Sequence, residues 1–248
     1  MFRVLMVWAL LLLATAAPAQ MGGDYQAQIL YAFQTEDINS LTNLIQDLTN
    51  RVKAQADDPS LRYHLAHAQY RRGLLAGDAN AHVAEAAFSD CVDGLKPLLS
   101  QDVKSVEPMI LQSACYAGLA ERRRLESALL RSRAAERLKS ALALAPRNPR
   151  AVFLESQEAL GQAKPGSAEQ QHAIAQLELA AKLFDSSSAT NIDTPGWGHA
   201  EAYLALGRSL QARGDQLGAR NWIEKSLIIA PDYKAAQRQL GSLVGHGA

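Results

Sequence analysis

Apolar residues along this chain recur at steps of three and four, in stretches broken by Gly, Asp, Asn and Pro, a period that belongs to helices packed through one face. The pattern predicts helices over residues 24–33 (Ile29, Leu30, Phe33) and 40–53 (Leu41, Leu44, Ile45, Leu48, Val52), forming a first hairpin. Asp57-Asp58-Pro59-Ser60 closes it and starts the next helix, 60–75, whose apolar face carries Leu61, Leu65 and Ala68, widened by Tyr63 and Tyr70. Gly77-Asp78 breaks that helix, and 81–99 is its partner. Helices over 106–120 and 125–144, then 149–160 and 168–184, give two further hairpins. A polar loop at 185–198 precedes a fifth hairpin at 200–230, turning at Gly214-Asp215, and a last helix at 231–244.

The fifth hairpin is the most regular unit. Tyr203, Leu206, Gly207 and Leu210 share one face of its first helix, and Ala219, Ile223 and Ser226-Leu227 share one face of the second. Gly207 and Ala219 are small, so the two helices can cross closely. Pro231 ends the second helix and can open the next. The same offsets return in Ala84, Phe88 and Cys91-Val92; in Ala134, Leu138, Ala141-Leu142 and Pro146; and in Ala173, Leu177 and Ala180-Ala181, where Asp185 replaces the closing Pro.

An aromatic, a Leu-Gly pair, an Ala and a closing Pro at these spacings are the pattern of the tetratricopeptide repeat (TPR). Residues 200–233 resemble that family as a complete unit, and residues 134–146 resemble its second helix. The Trp197-Gly198 segment is similar to one in a group of exported bacterial TPR proteins, a resemblance that implies no activity. The anchors Leu41, Ala84, Ala134, Ala173 and Ala219 lie further apart than the 34 residues of the family's repeat, so the other units carry longer helices or loops. The expected fold is all-α: a TPR-like α-solenoid of about five antiparallel helix hairpins with a C-terminal capping helix, spanning residues 20–248. A generic helical array is the alternative.

Composition adds two points. Lys and Arg number 25, and so do Asp and Glu; no global field points to nucleic acid. Residues 1–19 read as a cleaved signal peptide: Arg3 is a minimal basic start, residues 4–14 are a short apolar core, and Ala17-Pro18-Ala19 fits an A-x-A cleavage site. An uncleaved anchor is the other reading, although the apolar run is short for a membrane span. The mature chain is expected to be exported, to a bacterial periplasm or beyond the cell, with no stable membrane insertion. In an oxidising compartment Cys91 and Cys115, on apolar faces of consecutive helices, can form a disulfide; the alternative is two buried thiols.

Chemistry-bearing motifs are few. His64, His67 and His82 offer a metal face without a carboxylate at characteristic spacing, and read as structural or surface histidines. Arg122-Arg123-Arg124 with Arg131, Arg133, Arg137 and Lys139 can bind an acidic partner or anionic lipid head groups, or simply form a solvated face with Glu121, Glu126 and Glu136. Trp197, between glycines, either faces a ligand or folds back as an apolar plug. No nucleophile elbow, H-E-x-x-H or phosphate-binding glycine loop is present. No cofactor, metal or nucleic-acid partner is expected.

The TPR resemblance implies that first-helix residues line a concave face that holds a peptide or helix of a partner. Glu201, Leu204, Arg208 and Gln211 are the candidates in the complete unit, with Trp197 beside them and Arg62, Gln69 and Arg72 on an earlier first helix. The Lys/Asn clamp for a terminal carboxylate is not visible. The expected function is a non-enzymatic exported scaffold or adaptor. A small-molecule or peptide carrier closed by Trp197 is the second reading, and a cryptic hydrolase the third.

Overall fold

The computed structural model describes residues 24–188 and 195–245. The predicted leader and residues 189–194 of the 185–198 loop lie outside the described residues. Those residues form eleven α-helices: α1 (Tyr25–Gln34), α2 (Ile38–Ala54), α3 (Pro59–Ala76), α4 (Ala81–Gln101), α5 (Val106–Arg122), α6 (Ser127–Leu144), α7 (Pro149–Gln162), α8 (Ala168–Ser188), α9 (His199–Ala212), α10 (Gln216–Ile229) and α11 (Lys234–Gly245). They pair in chain order into five hairpins, α1/α2 to α9/α10, with α11 packed on α10. The architecture is an all-α, TPR-like helix-hairpin array with a terminal helix.

The helices begin where the sequence supplies an acceptor. The side chains of Asp24, Asp37, Asp58, Asn80, Asn148 and Asp215 each accept a backbone N–H of the first turn, satisfying donors that have no partner within the helix. Pro59 and Pro149 occupy the first helical position, where a missing N–H costs nothing.

The predicted faces are the buried ones. Leu41, Ile45 and Leu48 of α2, Ala84, Phe88 and Cys91 of α4, Ala134, Leu138 and Ala141 of α6, Ala173, Leu177 and Ala180 of α8, and Ala219, Ile223 and Ser226 of α10 are all buried. Small residues set the helix spacing. A Cβ built on Gly207 would stand 2.5 Å from Ile223 Cγ1 and 3.0 Å from the Ala219 carbonyl oxygen. Phe88 lies between Gly73 of α3 and Gly118 of α5, where a Cβ would approach it to 2.6 and 2.7 Å respectively. A disulfide joins Cys91 of α4 to Cys115 of α5, with Cα atoms 6.2 Å apart, and so ties the second hairpin to the third.

Asp185, the departure from the repeat pattern, has a structural use. Its carboxylate lies 3.0 Å from His199 Nε2 and accepts a hydrogen bond from the Tyr203 hydroxyl. The end of α8 is thereby fixed to the start of α9 across the polar loop.

The two ends of the array meet. Phe33 of α1 joins Ala200, Leu204, Ile223, Tyr233 and Ala236 in one apolar cluster. Arg238 of α11 donates two hydrogen bonds to Glu36, at 2.9 and 2.5 Å. Arg71 of α3 donates to Glu201 of α9 at 2.5 Å. The hairpins curve until the last packs against the first, and the side that would be an open concave face becomes an enclosed interior.

Candidate functional site

The enclosed side is built from the first helices of the hairpins. On α3, Tyr63, His67, Tyr70 and Leu74 follow at steps of four, three and four and so lie along one face. Trp197 sits against the middle of that face, 2% exposed. Its ring centroid is 5.9 Å from that of His67 and 6.2 Å from that of Tyr70, and its indole Nε1 donates to the Tyr63 hydroxyl at 2.9 Å. Gly198 follows it at φ +102°, a left-handed conformation that glycine adopts without strain.

Two buried arginines, each 2% exposed, flank the indole. Arg150 of α7 donates twice to Glu107 of α5, at 2.8 and 2.6 Å, and once to the Pro195 carbonyl at 2.6 Å. Asn148 also donates to Glu107, at 2.7 Å. The fork of Arg150 therefore holds both a carboxylate and the backbone leading into Trp197, a bidentate geometry that lysine cannot supply. Arg71 donates to Glu201, donates from Nε to His67 Nε2 at 3.0 Å, and lies 4.2 Å from the Phe33 ring centroid. Glu201 in turn accepts the Gly198 N–H at 3.1 Å. Each buried charge thus has a hydrogen-bonded counterpart, the condition under which such burial is tolerated.

Burial, together with the positive charge of Arg71, holds His67 well below the ordinary histidine range. The imidazole is neutral and its Nε2 is the acceptor. Burial also pushes the Tyr63 hydroxyl well above its ordinary value. Neither group is set up to give or take a proton near neutrality.

The plug separates two openings. One, about 490 Å³, is lined by the C-terminal halves of α3 and α5 and by α4, α6 and α7: Tyr70, Leu74, Phe88, Ala114, Ala117, Gly118 and Leu154 form its floor, and Glu121, Arg131 and Glu158 its rim. The other, about 890 Å³, lies at the N-terminal ends of α3 and α5 and includes Tyr63, His64, Asp24, Asp102, Glu107 and Pro195. Among the described residues His64 Nδ1, buried there, has no hydrogen-bond partner.

The residues singled out from the TPR resemblance are distributed unevenly over this arrangement. Leu204 is 2% exposed in the cluster that joins the two ends. Glu201 is engaged by Arg71 and Gly198, and Trp197 is the plug itself. Arg208 and Gln211 stay nearer the surface, both hydrogen-bonded to Gln239 of α11. Gln69 turns away to Asp90 of α4, Arg62 donates to the Ala56 carbonyl, and Arg72 is partly exposed. Among the described residues no group of three or more His, Cys, Asp or Glu is placed to hold a metal ion, and no helix is long and apolar enough to cross a membrane. Tyr63, Arg71, Glu107 and Arg150 carry the interior but were not candidates from sequence; His67, weighed there as part of a metal face and read as structural or surface, is buried in it. Only the spacing of Tyr63 and Tyr70 on α3 hints at them.

Fold and interior together define a TPR-like helical array closed around a polar and aromatic layer. No model of a known family and no curated protein matches the chain. Among solved structures it is similar to a chain of the APC/C hetero-tetramer Cut9–Hcn1, at 14% identity and a TM-score of 0.40. That match covers 90% of this chain but 42% of the other, so the chain spans less than half the length of the protein it resembles. At that score the likeness adds nothing to the architecture described above.

Proposed function

We propose that this protein is an exported, non-enzymatic helical scaffold that holds a segment of another protein at the opening between α3, α5 and α7. The observation that carries the reading is that opening. It lies on the inward side of the first helices, has an apolar floor and a mixed-charge rim, and its volume is in the range of sites that bury a few side chains. Protein recognition by the first helices is the mode the TPR resemblance implies. Export, to a bacterial periplasm or outside the cell, is supported by the basic start, apolar core and Ala17-Pro18-Ala19 of the first residues.

Ala117, exposed on the floor of the opening, gives the test. Ala117→Trp fills the space from an exposed position. Photo-crosslinking from Gln157 in living cells, with and without that substitution, is read by mass spectrometry. Discrete partners captured by the wild type and lost in Ala117→Trp support the proposal; partners captured equally by both place binding elsewhere.

A second reading, a small-molecule carrier, draws on the 890 Å³ opening. Tyr63 lines it and accepts the Trp197 indole N–H, so a ligand there perturbs Trp197 emission. A saturable change that disappears in Trp197→Phe supports this reading.

A further inference from the structure

We propose that the segment of another protein held at the opening between α3, α5 and α7 is a basic one, with an apolar residue on the floor and a neighbouring Lys or Arg whose cation stays at the mouth. The inference rests on the protein-binding reading of that opening and adds the chemistry of the partner.

The mouth is electronegative for two independent reasons. The first is helix direction. Leu74, Glu121 and the Gly161-Gln162 pair, which line it, belong to the last turns of α3, α5 and α7. Carbonyl groups of a last turn lack partners within the helix and give that end a partial negative charge, and three such ends meet here. The helices of opposite direction, α4 and α6, line the opening with Phe88 and with Arg131, Ala134 and Leu138, none of them in a first turn. Their positive ends therefore do not offset the negative ones.

The second reason is the side chains. Glu121 and Glu158 stand against Arg131, two carboxylates to one cation. Among the described residues Glu158 makes no ion pair. Glu121 lies 3.6 Å from the Arg122 guanidinium, which it shares with Asp78. Arg123 is held by Glu85 at 2.7 Å and does not line the opening. Arg131 is drawn back along α6 by a hydrogen bond from its Nε to Ser127 Oγ at 3.3 Å.

Beneath this mouth the floor is apolar, and Leu74 leaves 41% of its surface exposed on it. That layering matches a Lys or Arg at both levels: the aliphatic stem lies along the floor while the charged head stays hydrated at the mouth. An acidic segment would meet two carboxylates and three helix C-termini. A wholly apolar one would strip water from Glu121 and Glu158 and give nothing in exchange.

The test starts from the segment captured by photo-crosslinking at Gln157 and read by mass spectrometry. That segment is made as a free peptide, and again with its Lys and Arg replaced by Gln, and both are titrated with the purified protein by fluorescence anisotropy in low and high salt. The captured segment is expected to carry a Lys or Arg beside an apolar residue, to bind less tightly as salt rises, and to lose about fivefold in affinity when its cations are replaced. Glu121→Gln/Glu158→Gln should cost the parent peptide a similar factor and leave the Gln peptide unaffected, whereas Arg131→Gln should bind the parent peptide more tightly. All three side chains are exposed, so melting curves should not change. No capture, or equal capture in Ala117→Trp, removes the protein-binding reading and this inference with it. Capture abolished by Ala117→Trp, but of a segment without Lys or Arg or one indifferent to Glu121→Gln/Glu158→Gln, overturns the basic partner alone. Binding weakened by Arg131→Gln assigns an acidic segment and overturns it too.

Discussion

Replacing Trp197 tests the closed interior most directly, because one side chain touches elements from both halves of the chain. Trp197→Ala removes a ring that is 2% exposed and leaves a cavity between α3, Arg71 and Arg150. Truncation of a buried Trp or Phe costs about 3–5 kcal/mol. For a domain of this size each kcal/mol lowers Tm by about 2–4 °C, so Trp197→Ala should lower Tm by about 6–20 °C. The hydrogen bond to Tyr63 can be separated from the packing. Tyr63→Phe leaves the indole N–H buried without an acceptor and should cost about 1–3 kcal/mol. Once Trp197→Phe has removed that donor, Tyr63→Phe should cost distinctly less, so the double-variant cycle should show coupling between the two positions. Urea unfolding followed by far-UV circular dichroism supplies the free energies, with a constant m-value as the check that the denatured state has not changed. A loss below about 1 kcal/mol for Trp197→Ala, or strict additivity in the cycle, refutes the placement of the 195–198 segment inside the array.

Further outcomes follow from other contacts. The disulfide closes a loop of sequence separation 24, worth about 3.5 kcal/mol in the chain-entropy model; Cys91→Ala/Cys115→Ala should lose about that much, and the denatured, unreduced wild type should show no free thiol. His67 is neutral in the folded chain and titrates at the ordinary value when unfolded, so its contribution to stability is full above about pH 6.5 and declines as pH falls below it, by at most about 1.4 kcal/mol per pH unit. His67→Gln should flatten the pH dependence of urea unfolding between about pH 6.5 and 5, with a residual slope from His64, which burial also holds low. Gly207→Leu, forced against Ile223 and the Ala219 carbonyl, should destabilise by about 1–3 kcal/mol; an unchanged melting curve would mean that α9 and α10 do not cross there.

How much of the molecule was legible beforehand depended on the range over which each feature is decided. Helix limits are set by local chemistry, and the spacing of apolar residues with Asp, Asn and Pro at the starts located every described helix to within a few residues. The faces anchored by Ala84, Ala134, Ala173 and Ala219 were legible for the same reason: a helix hairpin must bury the side that carries its small and branched residues. The candidates on α9 were harder. Leu204 and Glu201 are taken up by contacts within the chain, with Phe33 of α1 and Arg71 of α3, which lie far away in sequence.

The sequence by itself therefore determined an all-helical chain of paired antiparallel helices, the apolar faces those helices bury, and where they start and stop. Tertiary structure alone decided that the array closes on itself, because closure accumulates from small rotations between successive hairpins that no local pattern encodes. It also decided the fate of Arg71 and Arg150. Each looks like an ordinary surface charge on its own helix and becomes buried only when Glu201, Glu107 and the Pro195 carbonyl arrive from elsewhere to meet it.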